Sequence, residues 1–357
     1  MADLHIFRTP AAKNFKEKTG RANYRLNTII VGLESVRNGT AKKPPDLAVG
    51  WDQPADGKLA ALKARGYATN AFMVYAVDAI DGYMRRLGSD KVWLADDPIG
   101  PALRNEFQTD RSETRAYNAL AADKLIAELQ TGKSDAKIAE NLLREFAATH
   151  FGRRKRPSMP GRFDLLLSKA PNVPQCYIAS VQLLISWRNS HVHGETTYTI
   201  SDKLIDDLIS AGEYFHNQHS GLDIQSLVDR YTKDDAPTLK DISSLISVSH
   251  RTIEAIDRKL LANLDIEATF RSAIKSALLE DTKRGEKRLK EYWGIGLPAR
   301  QRKLGALASP FGFQMADAKM VDYAARIPEQ SIYDLSSMDL DSFSRELGIE
   351  FGNTEAV

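Results

Sequence analysis

The stretch that most constrains the fold is ATNAFMVYAVDAIDGYMRRLG, residues 68–88. Its apolar residues wrap most of the circumference of a helix, which is typical of a helix buried inside a protein. Two carboxylates, Asp78 and Asp81, lie one helical turn apart within it. The stretch therefore predicts a largely buried helix with two acidic side chains.

Helical patterns also dominate the rest of the chain. Further helices are predicted at about 115–131 and 136–149, from Pro174 to near Gly194, and at 202–216, 222–232, 238–262 and from about 266. No internal repeat and no convincing series of strands is present. The pattern predicts an all-α fold with a loop-rich segment at 1–57, a helical domain at 58–265 and a small, mostly helical region at 266–357.

Composition limits the cellular compartment and the kinds of ligand that we expect. Among 357 residues, 49 Lys and Arg against 47 Asp and Glu give a net charge of +2, so any basic binding surface must be local. Cys176 is the single cysteine, which excludes a disulfide framework and suits a reducing cytoplasm. No secretory signal and no membrane span is predicted, so we expect an intracellular protein that does not bind membranes.

The segment RNSHVH, residues 188–193, ends the predicted helix after Pro174. His191 and His193 are ~200° apart around a helix, which disfavours a shared metal ion, because two helical histidines bind one ion at i and i+4. Arg188 and His193 are ~140° apart and approach if the last turn frays or if two copies of the helix meet. A permanent cation and a side chain that exchanges protons are the minimum for cleaving RNA with the ribose 2′-OH.

This segment resembles a known family. Arg188 to His193 matches the R-N-x3-H form of the R-x4-6-H signature of HEPN domains, which are helical and include many ribonucleases. The buried segment AVDAIDGYMRR is similar to a second helix of those ribonucleases, with Asp81 where Glu is usual. The resemblance covers about residues 60–265 and describes 58–265 as a HEPN-like helical bundle.

The resemblance implies a function and a site. It implies a metal-independent endoribonuclease without a cofactor, acting on RNA as a homodimer whose active site forms at the dimer interface. Arg188 and His193 would be catalytic, with Asn189 in support, and Asp81 would position one of the pair. The family further suggests bacterial anti-phage defence or toxin-type growth arrest, restrained by a regulatory or antitoxin partner.

Each candidate site residue also has a purely structural interpretation. Arg188 and His193 also suit a helix C-terminus, where cations interact favourably with the helix dipole. Asn189 either orients His193 or forms a local hydrogen bond. Asp81 has Arg85 at i+4 as an ordinary salt-bridge partner. His191 points elsewhere and is not expected to be essential.

Two other features suggest nucleic-acid binding. Residues 241–254 resemble a helix-turn-helix with its turn at Ser247, which supports an alternative function as a non-catalytic DNA-binding or regulatory protein. Two basic runs are candidate RNA contacts or ordinary solvated charge: Arg153, Arg154, Lys155 and Arg156, and Lys283 to Lys290 with Tyr292 and Trp293.

Overall fold

The computed structural model describes residues 4–90, 92–94, 97–105, 157–193, 200–219, 221–279, 296–315, 325–327 and 329–349. The predicted all-α character is confirmed, since this part of the chain is mostly helical. The helices are α1 (Pro10–Arg37), α2 (Gly57–Ser89), α3 (Gly100–Leu103), α4 (Met159–Lys169), α5 (Gln175–His193), α6 (Asp202–Ser210), α7 (Gly212–Gln218), α8 (Ile224–Thr232), α9 (Leu239–Ala262), α10 (Ile266–Leu279), α11 (Leu297–Ala308), α12 (Glu329–Ser337) and α13 (Leu340–Glu346).

The chain divides into two compact units, each assembled from segments far apart in sequence. Unit A comprises Ala12–Tyr83 and Pro171–Ile256. Unit B comprises Met1–Ala11, Met84–Ala170 and Asp257–Val357. The boundaries expected near residues 57 and 265 are therefore not boundaries of these units.

Unit A is organised around helix α5. Residues 178–187 of α5 are all buried, including the fully buried Trp187. The predicted buried stretch of α2 contributes Met73, Val77 and Ile80, each at most 1% exposed. Burial of apolar side chains at this density is the main stabilising contribution to such a unit.

Unit B contains a small sheet that the sequence analysis does not predict. Strands β1 (Leu4–Ile6), β2 (Phe313–Met315) and β3 (Ala325–Arg326) form an antiparallel sheet in the order β2-β1-β3. Gly312 precedes β2 with a φ of 98°, and a β-carbon there would lie 2.7 Å from the carbonyl oxygen of Arg8. Only glycine fits that turn without strain. The surrounding core includes Ile6, Leu261, Phe270, Ile274, Leu304, Phe313, Leu335 and Phe343.

The prediction of irregular structure was wrong for residues 10–37, which form α1. Phe15, Thr19, Ala22 and Leu26 are spaced by four and three residues, and all four are buried. Most of the remaining circumference is exposed and polar, so the apolar stripe is narrow. Residues 38–56 lie outside helices and strands, as predicted for that part of the segment.

The helix-turn-helix interpretation was also wrong. Helix α9 continues from Leu239 to Ala262 and passes through Ser247 without a turn. The helices predicted at 115–131 and 136–149 and both basic runs lie outside the described residues. None of the helices in the described ranges combines the length and apolar character that crossing a membrane requires.

Candidate functional site

Arg188 lies near the end of α5 and contacts a second helix. Its Nη2 is 3.8 Å from Oδ1 of Asp78 on α2, and its Nη1 donates a hydrogen bond of 3.1 Å to Oδ1 of Asn189. The Arg188 side chain is 22% exposed and that of Asp78 is 64% exposed. The guanidinium thus hydrogen-bonds Asn189, lies near the Asp78 carboxylate and is partly open to solvent.

The end of α5 is fixed to the last turn of α8 and to the segment that follows it. Three side chains in the last two turns of α5 form hydrogen bonds there. Ser186 bonds the Tyr231 hydroxyl at 2.6 Å, Trp187 donates to the carbonyl of Asp235 at 3.1 Å, and Ser190 donates to Asp234 at 2.8 Å. Asp234 has a φ of 57°, an uncommon backbone conformation for a residue other than glycine. These bonds hold the end of α5, where Arg188 lies, against its neighbours.

A buried ion pair holds the same segment from its other side. Arg230 donates from Nε and Nη2 to both carboxylate oxygens of Asp241, at 2.9 and 2.7 Å. Asp241 also accepts the backbone N–H of Thr238 at 2.7 Å, and the Thr238 hydroxyl accepts the N–H of Asp241 at 3.2 Å. This reciprocal pattern is a capping box at the start of α9. Residues 231–235 are consequently tethered at both ends.

The structure brings together some of the predicted site residues. Asn189 forms the local hydrogen bond to Arg188, which was one of its two predicted roles. Asp81 is half-buried on α2, one turn beyond Asp78. Helix α5 reaches His193, whose side chain lies outside the described part of the structure. The proposed pairing of Arg188 with His193 therefore stays a prediction.

Asp78, which the sequence analysis noted on the buried helix but did not place in the site, approaches Arg188 at 3.8 Å. Asp78 and Asp81 are three residues apart, so both lie on one face of α2. That spacing was the sequence feature that could have identified Asp78 as a site residue. The Arg230–Asp241 pair was also missed. The Thr-x-x-Asp spacing from Thr238 to Asp241 is a helix-start pattern that would have pointed to Asp241.

Two histidines of unit A, the buried His219 and the half-buried His250, have structural partners. Nδ1 of His219 is 3.1 Å from the Ser247 hydroxyl, and Nε2 of His250 is 2.6 Å from the Thr19 hydroxyl. Burial lowers the pKa of both imidazoles, and nearby cations lower each pKa further. Both rings therefore favour the neutral form in the folded protein.

Comparison of the chain with models of known protein families, with curated proteins and with solved structures gave no match. Within the described ranges, no three His, Cys, Asp or Glu side chains are grouped closely enough to hold a metal ion. The functional assignment accordingly depends on the residues around Arg188.

Proposed function

We propose that the protein is a HEPN-type endoribonuclease whose active site contains Arg188 and His193. The observation that carries the proposal is the contact between Arg188 and Asp78 at 3.8 Å, which joins the R-N-x3-H helix to the acidic helix α2. The resemblance pairs these same two helical segments. Its acidic position is Asp81, which lies one turn from Asp78 on the same helix.

The chemistry is transesterification within the RNA strand. The ribose 2′-oxygen attacks the adjacent phosphorus while the bond from phosphorus to the 5′-oxygen breaks. The products are a 2′,3′-cyclic phosphate and a 5′-hydroxyl. His193 accepts the 2′-OH proton, and a second His193 in a homodimer supplies a proton to the leaving oxygen. Arg188 stabilises the negative charge that develops on the phosphate oxygens.

The test incubates purified protein with total RNA and tRNA in the presence of EDTA and identifies the chain ends. We expect cyclic phosphate ends from the wild type and at least about a 100-fold lower rate from Arg188→Ala and from His193→Ala. Asn189→Ala and Asp81→Asn are expected to lower the rate less, since both residues act by positioning the pair.

Matched controls are Arg251→Ala and His216→Ala, because both side chains are exposed and lie outside the proposed site. Thermal unfolding of every variant separates loss of chemistry from loss of fold. Cleavage that survives in both Arg188→Ala and His193→Ala contradicts the proposal. Intact RNA after prolonged incubation with the wild type would instead indicate a non-catalytic binding or scaffold protein.

A further inference from the structure

Helix α1 carries a stripe of exposed cations beside an exposed tyrosine. Lys18, Arg21 and Arg25 are spaced by three and four residues, so they share one side of the helix, and all three are exposed. Tyr24 adjoins Arg21 and Arg25 and is 77% exposed. We name these four residues the α1 patch. A large aromatic ring this exposed gains little from folding and is accessible to a ligand.

The α1 patch concentrates charge that the chain as a whole lacks. Residues 13–37 of α1 contain six Lys and Arg against two Glu, whereas the full chain has a net charge of only +2. One of the two, Glu34, already binds Arg37 and Arg65 at 3.2 and 2.8 Å. Among the residues that the structure describes, no carboxylate lies within ion-pair distance of Arg21 or Arg25. Within this part of the chain, both charges are available to an anion.

The α1 patch lies next to the face of α2 that carries Asp78, the residue that contacts Arg188. The Tyr75 hydroxyl donates to the carbonyl of Lys18 at 3.2 Å, and the Lys18 ammonium is 3.8 Å from where a β-carbon on Gly82 would lie. Tyr75 is one turn before Asp78 on α2, and Asp78 contacts Arg188. Contacts within unit A thus connect the patch to the candidate site through a single turn of α2.

We propose that the α1 patch binds single-stranded RNA and directs the strand toward Arg188. Lys18, Arg21 and Arg25 bind successive phosphates, and Tyr24 stacks on an unpaired base. Single strands are favoured over duplexes because a base inside a duplex is already stacked on its neighbours. The inference rests on the proposed function in that the ligand is RNA, but binding at the patch is measurable without cleavage.

The experiment measures fluorescence anisotropy of a labelled single-stranded RNA of about 12 nucleotides. The full chain carries His193→Ala to prevent cleavage. Adding Arg21→Gln and Arg25→Gln is expected to weaken binding at least about fivefold. The slope of log binding constant against log salt concentration should become about 1.4 less steep, because each lost phosphate contact contributes roughly 0.7. Tyr24→Ala is expected to weaken binding at least about fivefold, whereas Tyr24→Phe retains the stacking ring and the affinity.

Two matched controls test whether the effect depends on where the charge and the ring lie, by removing the same groups elsewhere. Lys42→Gln with Lys43→Gln removes the same charge from an exposed loop, and Tyr67→Ala removes a tyrosine that is 81% exposed on α2. Both are expected to leave the affinity within about twofold. Equal weakening by the controls and by the α1 variants overturns the proposal, and so does binding to phosphatidylserine vesicles without binding to RNA.

The two proposals fail separately. Wild-type protein that leaves RNA intact, together with patch-dependent binding, contradicts the ribonuclease and supports the α1 patch. The opposite result contradicts the patch alone: cleavage depends on Arg188 and His193, but RNA affinity does not change when Arg21, Tyr24 and Arg25 are replaced.

Discussion

Replacing Arg230 by alanine is expected to lower the free energy of unfolding by about 2–3 kcal/mol. The substitution removes both charge-assisted hydrogen bonds to Asp241, of 2.9 and 2.7 Å. The Asp241 side chain is 3% exposed, so its carboxylate keeps the Thr238 N–H but gains little water. Breaking a buried pair costs ~3–5 kcal/mol, and the 27% exposure of the Arg230 side chain reduces that cost through solvent screening.

The assay is urea unfolding followed by far-UV circular dichroism, with Arg251→Ala as the matched control. Arg251 is 60% exposed and lies 3.6 Å from Glu254 one turn away, so its loss is expected to cost less than about 0.5 kcal/mol. Arg230→Lys retains the charge but loses the two-pronged geometry, and an intermediate cost is expected. Equal midpoint shifts for Arg230→Ala and Arg251→Ala would refute the assigned contribution of the buried pair.

The same substitution tests how the candidate site is positioned. Tyr231, Asp234 and Asp235 bind the end of α5, and Arg230 immediately precedes them. Loss of the pair is therefore expected to speed amide hydrogen exchange in residues 186–193 more than in the middle of α5. Unchanged exchange at the end of α5, despite a lower unfolding midpoint, would show that the pair stabilises the unit without positioning Arg188.

Two further predictions concern pH and backbone conformation. Stability is expected to fall as the pH drops below about 6.5, because the lowered pKa of His219 and of His250 lets the unfolded chain bind more protons. Unfolding midpoints measured between roughly pH 8 and pH 5 should decline less in a His219→Asn, His250→Gln variant, and equal slopes would contradict the assignment. Gly312→Ala is expected to cost about 1–3 kcal/mol in urea unfolding, since φ is 98° and the added carbon would meet the Arg8 carbonyl at 2.7 Å. Gly66→Ala, in α2 with open space around it, should instead add about 0.5–1 kcal/mol, and the same sign for both substitutions would contradict this argument.

Long, strongly periodic helices could be predicted from the sequence, whereas elements defined by distant contacts could not. The helix predicted at 68–88 lies inside α2, and those predicted from Pro174 to near Gly194 and at 238–262 match α5 and α9 closely. Strands β1, β2 and β3 contain two or three residues each, too few to show an alternating pattern. They exist because residues near 5 meet residues near 314 and 326, a pairing that no local pattern encodes.

The candidate site shows the same limit. Local spacing identified Arg188, Asn189 and the acidic face of α2. It did not determine that Asp78 faces Arg188, because the register between two helices more than a hundred residues apart depends on packing along their whole lengths. At residues 241–254 the local pattern was misleading. Apolar residues of α9 that suited a helix-turn-helix core, including Ile242, Leu245 and Ile246, are instead buried along one continuous helix.

The position of Arg188 argues against a role limited to capping α5. The helix extends at least to His193, so Arg188 precedes the last described residue by more than one turn. The favourable interaction of a cation with the helix dipole falls off within the last turn. Arg188 is instead 22% exposed and lies 3.8 Å from a carboxylate of another helix. A cation that only stabilised the dipole would need no such partner, whereas one that binds phosphate benefits from being held in a fixed direction.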